Sequence, residues 1–126
     1  MKITSFNPVI VSTNAENVIK LFEDLGFEKH HAPVIETGDG DISGIRMKDA
    51  NGNYVDVADP ASIPRDTTYI RMNVDKFEEA YDILTEHGFR NTRGEVAIQT
   101  DSAKAATMVS PSGLTIILIE HIRENR

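Results

Sequence analysis

The chain has 126 residues, 40% of them hydrophobic, a formal charge of −7 and no cysteine, enough apolar material for one compact core or two tightly fused halves. The composition excludes disulfides, zinc–thiolate centres and cysteine nucleophiles, and an acidic balance without a Lys/Arg cluster argues against a nucleic-acid partner. No apolar run reaches the roughly 18 residues a bilayer span requires, and "MKITSFNPVIVS" runs from Lys2 into a strand-like pattern without a signal-peptide core, so a cytoplasmic protein with no membrane partner is expected.

In chain order, "SFNPVIVS" reads as a strand and "NAENVIKLFEDLGF" (14–27) as an amphipathic helix, with Val18, Leu21, Phe22 and Leu25 as its buried stripe. Thr13 with Glu16 has the spacing of a capping box, and Gly26 suits a left-handed C-terminal cap. Three strands follow, "EKHHAPVIET", "DISGIRMK" and "YVDVA", the last two joined by a turn at "DANGN". The two prolines of "DPASIPRD" mark a connection over 59–66.

The same order then returns. "TTYIRMNV" is a strand; "KFEEAYDILTEHGF" (76–89) is a helix with Ala80, Ile83, Leu84 and His87 on the stripe; Asp75 and Glu78 have the capping-box spacing, and Gly88 ends the helix. Next come "RNTRGEVAIQT", "AKAATMV", a turn at "SPSG", and "LTIILIEHI". Gly26 and Gly88 lie 62 residues apart, as do Asn7 and Tyr69, while Met47 and Met108, and Gly52 and Gly113, lie 61 apart. Two similar helices could arise by chance, but flanks that repeat in the same order argue for duplication. The expectation is an α+β fold of two βαβββ modules, 1–58 and 67–126, joined by 59–66.

This pattern resembles the vicinal oxygen chelate superfamily, which includes glyoxalase I, extradiol dioxygenases, and bleomycin and fosfomycin resistance proteins. The resemblance spans residues 3–122 and rests on the repeated βαβββ order, on "LFEDLGF" and "ILTEHGF", and on the closing "SPSGLTIILIE". It implies tandem modules whose curved mixed sheets enclose a groove, with helices packed outside. It also implies four metal-ligand positions, here Asn7, Asp56, Tyr69 and Ile117. Only Asp56 is a good ligand, so the usual metal centre is expected to be missing and no cofactor is expected.

Strand alternation from those four positions puts Asn7, Val9, Val11, Tyr54, Asp56, Tyr69, Arg71, Asn73, Thr115 and Ile117 on the groove face. Of these, Asn7, Tyr54, Asp56, Tyr69, Arg71, Asn73, Thr115 and Ile117 are the candidate ligand-binding residues. Charges on such a face need an account. Arg71 and Asp56 either form an internal ion pair or serve a small-molecule pocket, with Arg71 as a fork for a carboxylate or phosphate and Tyr54 and Tyr69 as apolar faces with hydroxyl tips. Asp56 is the one candidate proton acceptor. Glu120 and His121, neighbours on a strand, point to opposite faces and cannot share an ion, so they read as the solvated end of a strand. Of His30 and His31 only one can face the groove, and His87 reads as structural.

The reading that asks least of these residues is a glyoxalase/bleomycin-resistance-like protein that binds a small molecule without a metal. The alternatives are a metal-dependent lyase, isomerase or dioxygenase with a non-standard ligand set, and a scaffold with a vestigial groove. A homodimer is expected from the resemblance.

Overall fold

A computed structural model describes residues 1–31, 34–37, 40–59, 65–92, 94, 98–99 and 103–121. Residues 60–64 of the expected connection lie outside the described residues. The fold is α+β, and the chain divides into two compact units, residues 7–69 and residues 1–6 with 70–126.

In the first unit, β1 (Ile3–Val11, of which residues 7–11 belong here) is followed by α1 (Ala15–Asp24), β2 (Glu28–His31), β3 (Val34–Thr37), β4 (Gly40–Lys48) and β5 (Tyr54–Asp59). β1 runs parallel to β5, with Val9 beside Asp56, while β4 is antiparallel to β5 and to both β2 and β3. The expected single strand "EKHHAPVIET" is thus two short strands that pair in succession along β4.

The second unit repeats the plan with β6 (Thr67–Val74, from Ile70), α2 (Phe77–Glu86), β7 (Arg90–Asn91), β8 (Ile98–Gln99), β9 (Ala103–Val109) and β10 (Thr115–His121). β6 is parallel to β10 with Arg71 beside Ile117, and β7 and β8 both pair with β9. Shifts of 62 and 61 residues carry the Val9–Asp56 pair onto Arg71–Ile117, so the duplication extends to strand register.

Each helix covers one face of its own sheet. Met47, Val55 and Val57 form the first core, with Ala15, Val18, Ile19 and Phe22 of α1 packed on it. Met72, Val74, Ala106, Met108, Ile116 and Leu118 form the second, under Phe77, Ala80, Tyr81 and Leu84 of α2. The helix positions again differ by 62. Phe77 is 2% exposed, a burial that contributes about 3 kcal/mol.

The stripes therefore sit one flank away from those expected. Leu21, Leu25 and Ile83 are exposed at 51%, 63% and 42%, and His87 is an exposed C-cap residue. A stripe begun at Ala15 or Phe77 satisfies the same spacing as one begun at Val18 or Ala80, and only the docked sheet chooses between them.

The capping boxes do not form either. The N-caps are Asn14 and Lys76, and neither makes a side-chain capping bond. Distant carboxylates take over the work. Asp66 accepts from the Thr13 amide at 3.1 Å and the Ser12 hydroxyl at 2.9 Å. Glu120 Oε1 accepts the Phe77 amide at 2.6 Å, satisfying a donor that the first helical turn leaves open. Glu120 is thus more than the solvated end of β10.

The C-termini and hairpins behave as their glycines suggest. Phe27 donates its amide to the Phe22 carbonyl and Gly26 to Glu23; Phe89 and Gly88 repeat this with Leu84 and Thr85. These are Schellman caps, with the Phe22 and Phe27 rings 5.3 Å apart as the accompanying apolar contact. In the hairpins, Gly52 donates to Asp49 and Gly113 to Ser110, and both glycines have positive φ.

Two outcomes follow. Gly26 has φ of +103° and open space where a Cβ would stand, so Gly26→Ala should cost about 1 kcal/mol from backbone strain alone, read as a shift in urea midpoint. Asp75 Oδ1 accepts the Lys2 amide at 2.6 Å, chiefly for which its carboxyl lies below the ordinary 3.8. A depressed native value contributes stability above 3.8 that is lost as pH falls through it. The stability gap between wild type and Asp75→Ala should accordingly shrink in urea melts taken from pH about 5 down to about 2.

Candidate functional site

Because α1 takes the odd-numbered face of β5, the even-numbered residues Tyr54 and Asp56 stand on the face away from the helix, as do Arg46 and Lys48 of β4 directly across from them. Asn7 belongs to the same face through β1, and Val9 and Val11 are buried 1% exposed beside it.

Asp56 is fully buried and Asn7 is 3% exposed. Asn7 Nδ2 donates to Asp56 Oδ2 and to the Pro8 carbonyl, each at 3.0 Å, and Asn7 Oδ1 accepts from Arg46 Nη2 at 3.4 Å. The guanidinium carbon of Arg46 lies 4.2 Å from the Tyr54 ring centroid, and the Lys48 ammonium lies 5.4 Å from it. His30 meets the same ring edge-on at 5.9 Å. The result is a continuous polar chain, Asp56–Asn7–Arg46–Tyr54, ending in Lys48 and His30.

In the second unit Arg71, Asn73, Thr115 and Ile117 lie on the face away from α2, since the alternate residues Met72, Val74, Ile116 and Leu118 form the core under that helix. Tyr69 shares the parity of Arg71 along β6 and is half-buried. Arg71, 6% exposed, donates from Nε to Asn73 Oδ1 at 3.3 Å. Thr107, across from Ile117, buries its hydroxyl with no hydrogen-bond partner among the described residues.

The structure thus joins Asn7, Tyr54 and Asp56 in one cluster and Arg71 and Asn73 in another. Arg46, Lys48 and His30 are the contributors that alternation from the four metal positions missed. Arg46 and Lys48 were within reach, since "DISGIRMK" pairs antiparallel with "YVDVA" through a tight turn. For His30 the sequence left open which of His30 and His31 faces this side, because a register shift lies between Lys29 and His31 in β2, an irregularity that a period-two reading does not show.

No protein-family model matches the chain, and no curated protein matches it. Solved structures do share its shape. A methylmalonyl-CoA epimerase from Mycobacterium tuberculosis has a TM-score of 0.73 over 96% of this chain and 90% of its own, at 14% identity. A glyoxalase/bleomycin resistance protein/dioxygenase superfamily member from Vibrio splendidus 12B01 has 0.64 over 94% and 99%, also at 14% identity. The fold is that of the vicinal oxygen chelate proteins. A glyoxalase I mutant from Zea mays, 11% identical, matches with a TM-score of 0.66 over 98% of this chain and 45% of its own.

Metal-dependent members of the resembled superfamily use four ligand positions, and the residues at those positions here do not fit a metal. Ile117 has no donor atom, and Asp56 is the only carboxylate. The Asn7 amide is engaged at both ends, its oxygen by a guanidinium. A positive charge already held beside Asn7 and Asp56 opposes a divalent cation there. Among the described residues no three His, Asp or Glu side chains gather into a ligand set. Protein dialysed against nickel, zinc, manganese and iron under anaerobic conditions should retain far less than one metal per chain by plasma mass spectrometry. Stoichiometric, tightly held metal would refute this account of the donor set.

Proposed function

We propose that the chain is a metal-independent small-molecule binding protein that takes its ligand on the helix-free face of the first unit, at Asn7, Arg46, Tyr54 and Asp56. The observation that carries this reading is a buried carboxylate and amide held beside a guanidinium on a face where apolar packing would be at least as stable. Such groups have a use when a polar ligand meets them on that face. Arg71, Asn73, Thr115 and Ile117 give the second unit a helix-free face of mixed character of its own. The resemblance in fold to an epimerase that, by its name, acts on methylmalonyl-CoA supports a small organic ligand. A homodimer belongs to the same proposal and rests on the fold alone.

A thermal-shift screen of small organic compounds tests it. A ligand present at about a hundred times its Kd adds about 2.7 kcal/mol of stability, and Arg46→Met should weaken its binding by about tenfold or more through loss of a charge-assisted bond. Ligands whose affinity is indifferent to Arg46→Met and Asp56→Asn, in variants with wild-type circular dichroism, would overturn the assignment.

A further inference from the structure

The end of the first unit's sheet gathers three cations, Lys29, Arg46 and Lys48, in a chain of net charge −7. Arg46 and Lys48 alternate along β4 on the same face, and Tyr54 stands directly across from Lys48 on β5. The register shift in β2 brings His30 against the Tyr54 ring. Beside this group opens a cavity of about 240 Å³ lined by Lys29, His30 and Lys48, with Glu28 and Asp49 at its wall.

Among the described residues, neither acid beside Lys48 forms an ion pair with it. Asp49 is occupied by the hairpin, accepting the Asn51 amide at 2.9 Å, the Asn53 amide at 2.8 Å and Asn53 Nδ2 at 2.8 Å. Those bonds, the one from the Asn53 side chain foremost, hold its carboxyl below the ordinary 3.8. Glu28 lies across from Lys48 in the β2–β4 register, yet among the described residues no ion pair joins Glu28, Lys29, His30 or Lys48 to any partner. Tyr54 positions two cations through its ring face without neutralising either. An ammonium held in place, outside any ion pair among the described residues and bordering a cavity, can take an anion with less side-chain freedom left to lose on binding.

The duplication supplies a comparison. The positions equivalent to His30, Arg46, Lys48 and Tyr54 are Thr92, Thr107, Val109 and Thr115, so the charge belongs to the first half and is no general requirement of the module.

We propose that this cavity is an oxyanion site, centred on Lys48 with His30 and Lys29 and backed by Tyr54 and Arg46, for the carboxylate or phosphoryl group of a small organic ligand. The inference rests on the small-molecule reading above and gives it a ligand class. Titration of the isotopically labelled protein with inorganic phosphate, and in parallel with propionate, at ionic strength held constant with chloride, tests it by amide shifts. Saturable shifts confined to residues 26–30 and 46–54 are expected, with a Kd for the bare ion on the order of a millimolar. Lys48→Gln should weaken binding about tenfold while Lys104→Gln, in the other unit, leaves it unchanged. The tighter of the two probes identifies the group. Absence of saturable shifts, or equal affinity in Lys48→Gln, would overturn the site. An organic ligand that needs Arg46 and Asp56 but ignores Lys48→Gln would refute the oxyanion class and leave the binding function intact; saturable phosphate binding lost in Lys48→Gln, with no organic ligand found in the screen, would uphold the site and count against the function.

Discussion

In each half of this protein the first and last strands run parallel, and one helix must cover the sheet they form. Since side chains alternate along a strand, the helix claims every second residue of the strands beneath it, and the rest are committed to the opposite face. Val55 and Val57 go under α1, which leaves Tyr54 and Asp56 on the other side; Ile116 and Leu118 go under α2, which leaves Thr115 and Ile117. A register slip of one residue would exchange apolar core for polar face in either unit. The Schellman caps and the glycine hairpins serve this constraint by setting where each helix ends and each strand pair begins.

Equal backbones have then been used unequally. Val9 beside Asp56 in one unit and Arg71 beside Ile117 in the other are the same pair of positions with polarity reversed. In the first unit the polar groups form a chain from Asp56 through Asn7 and Arg46 to Tyr54. In the second they are fewer, and the Thr107 hydroxyl, where Arg46 stands in the first, is buried and unpartnered among the described residues. A buried carboxylate with an amide and a guanidinium is a demanding arrangement, because removing any member strands the others without solvent. The same members fit a metal poorly, since Asn7, at one of the four ligand positions, has both ends of its amide hydrogen-bonded and a guanidinium beside it.

Much of the architecture was legible in the residues. The repeat, the element order, both helix ends and both hairpin turns follow from local chemistry, in which glycine alone adopts the required positive φ without strain and a phenylalanine after it closes onto the preceding turn. The helix starts were misread because Thr13–Glu16 and Asp75–Glu78 have a capping spacing, whereas the amides are held from far along the chain, by Asp66 and Glu120. The helix stripes were misplaced by one flank for a related reason: two overlapping apolar stripes compete in each helix, and the choice lies with the sheet that docks.

By itself the sequence determined what depends on a few consecutive residues: a duplicated βαβββ plan, its turns and caps, and through strand period the side of each sheet on which Asn7, Tyr54, Asp56, Arg71 and Ile117 lie. Only the tertiary structure decided which of these meet. The contact of Asn7 with Asp56 spans 49 residues and that of Arg46 with Asn7 spans 39, and His30 reaches Tyr54 through an irregularity in strand pairing. Such contacts are made by register between strands, a property of two segments at once, which no reading of either segment alone contains.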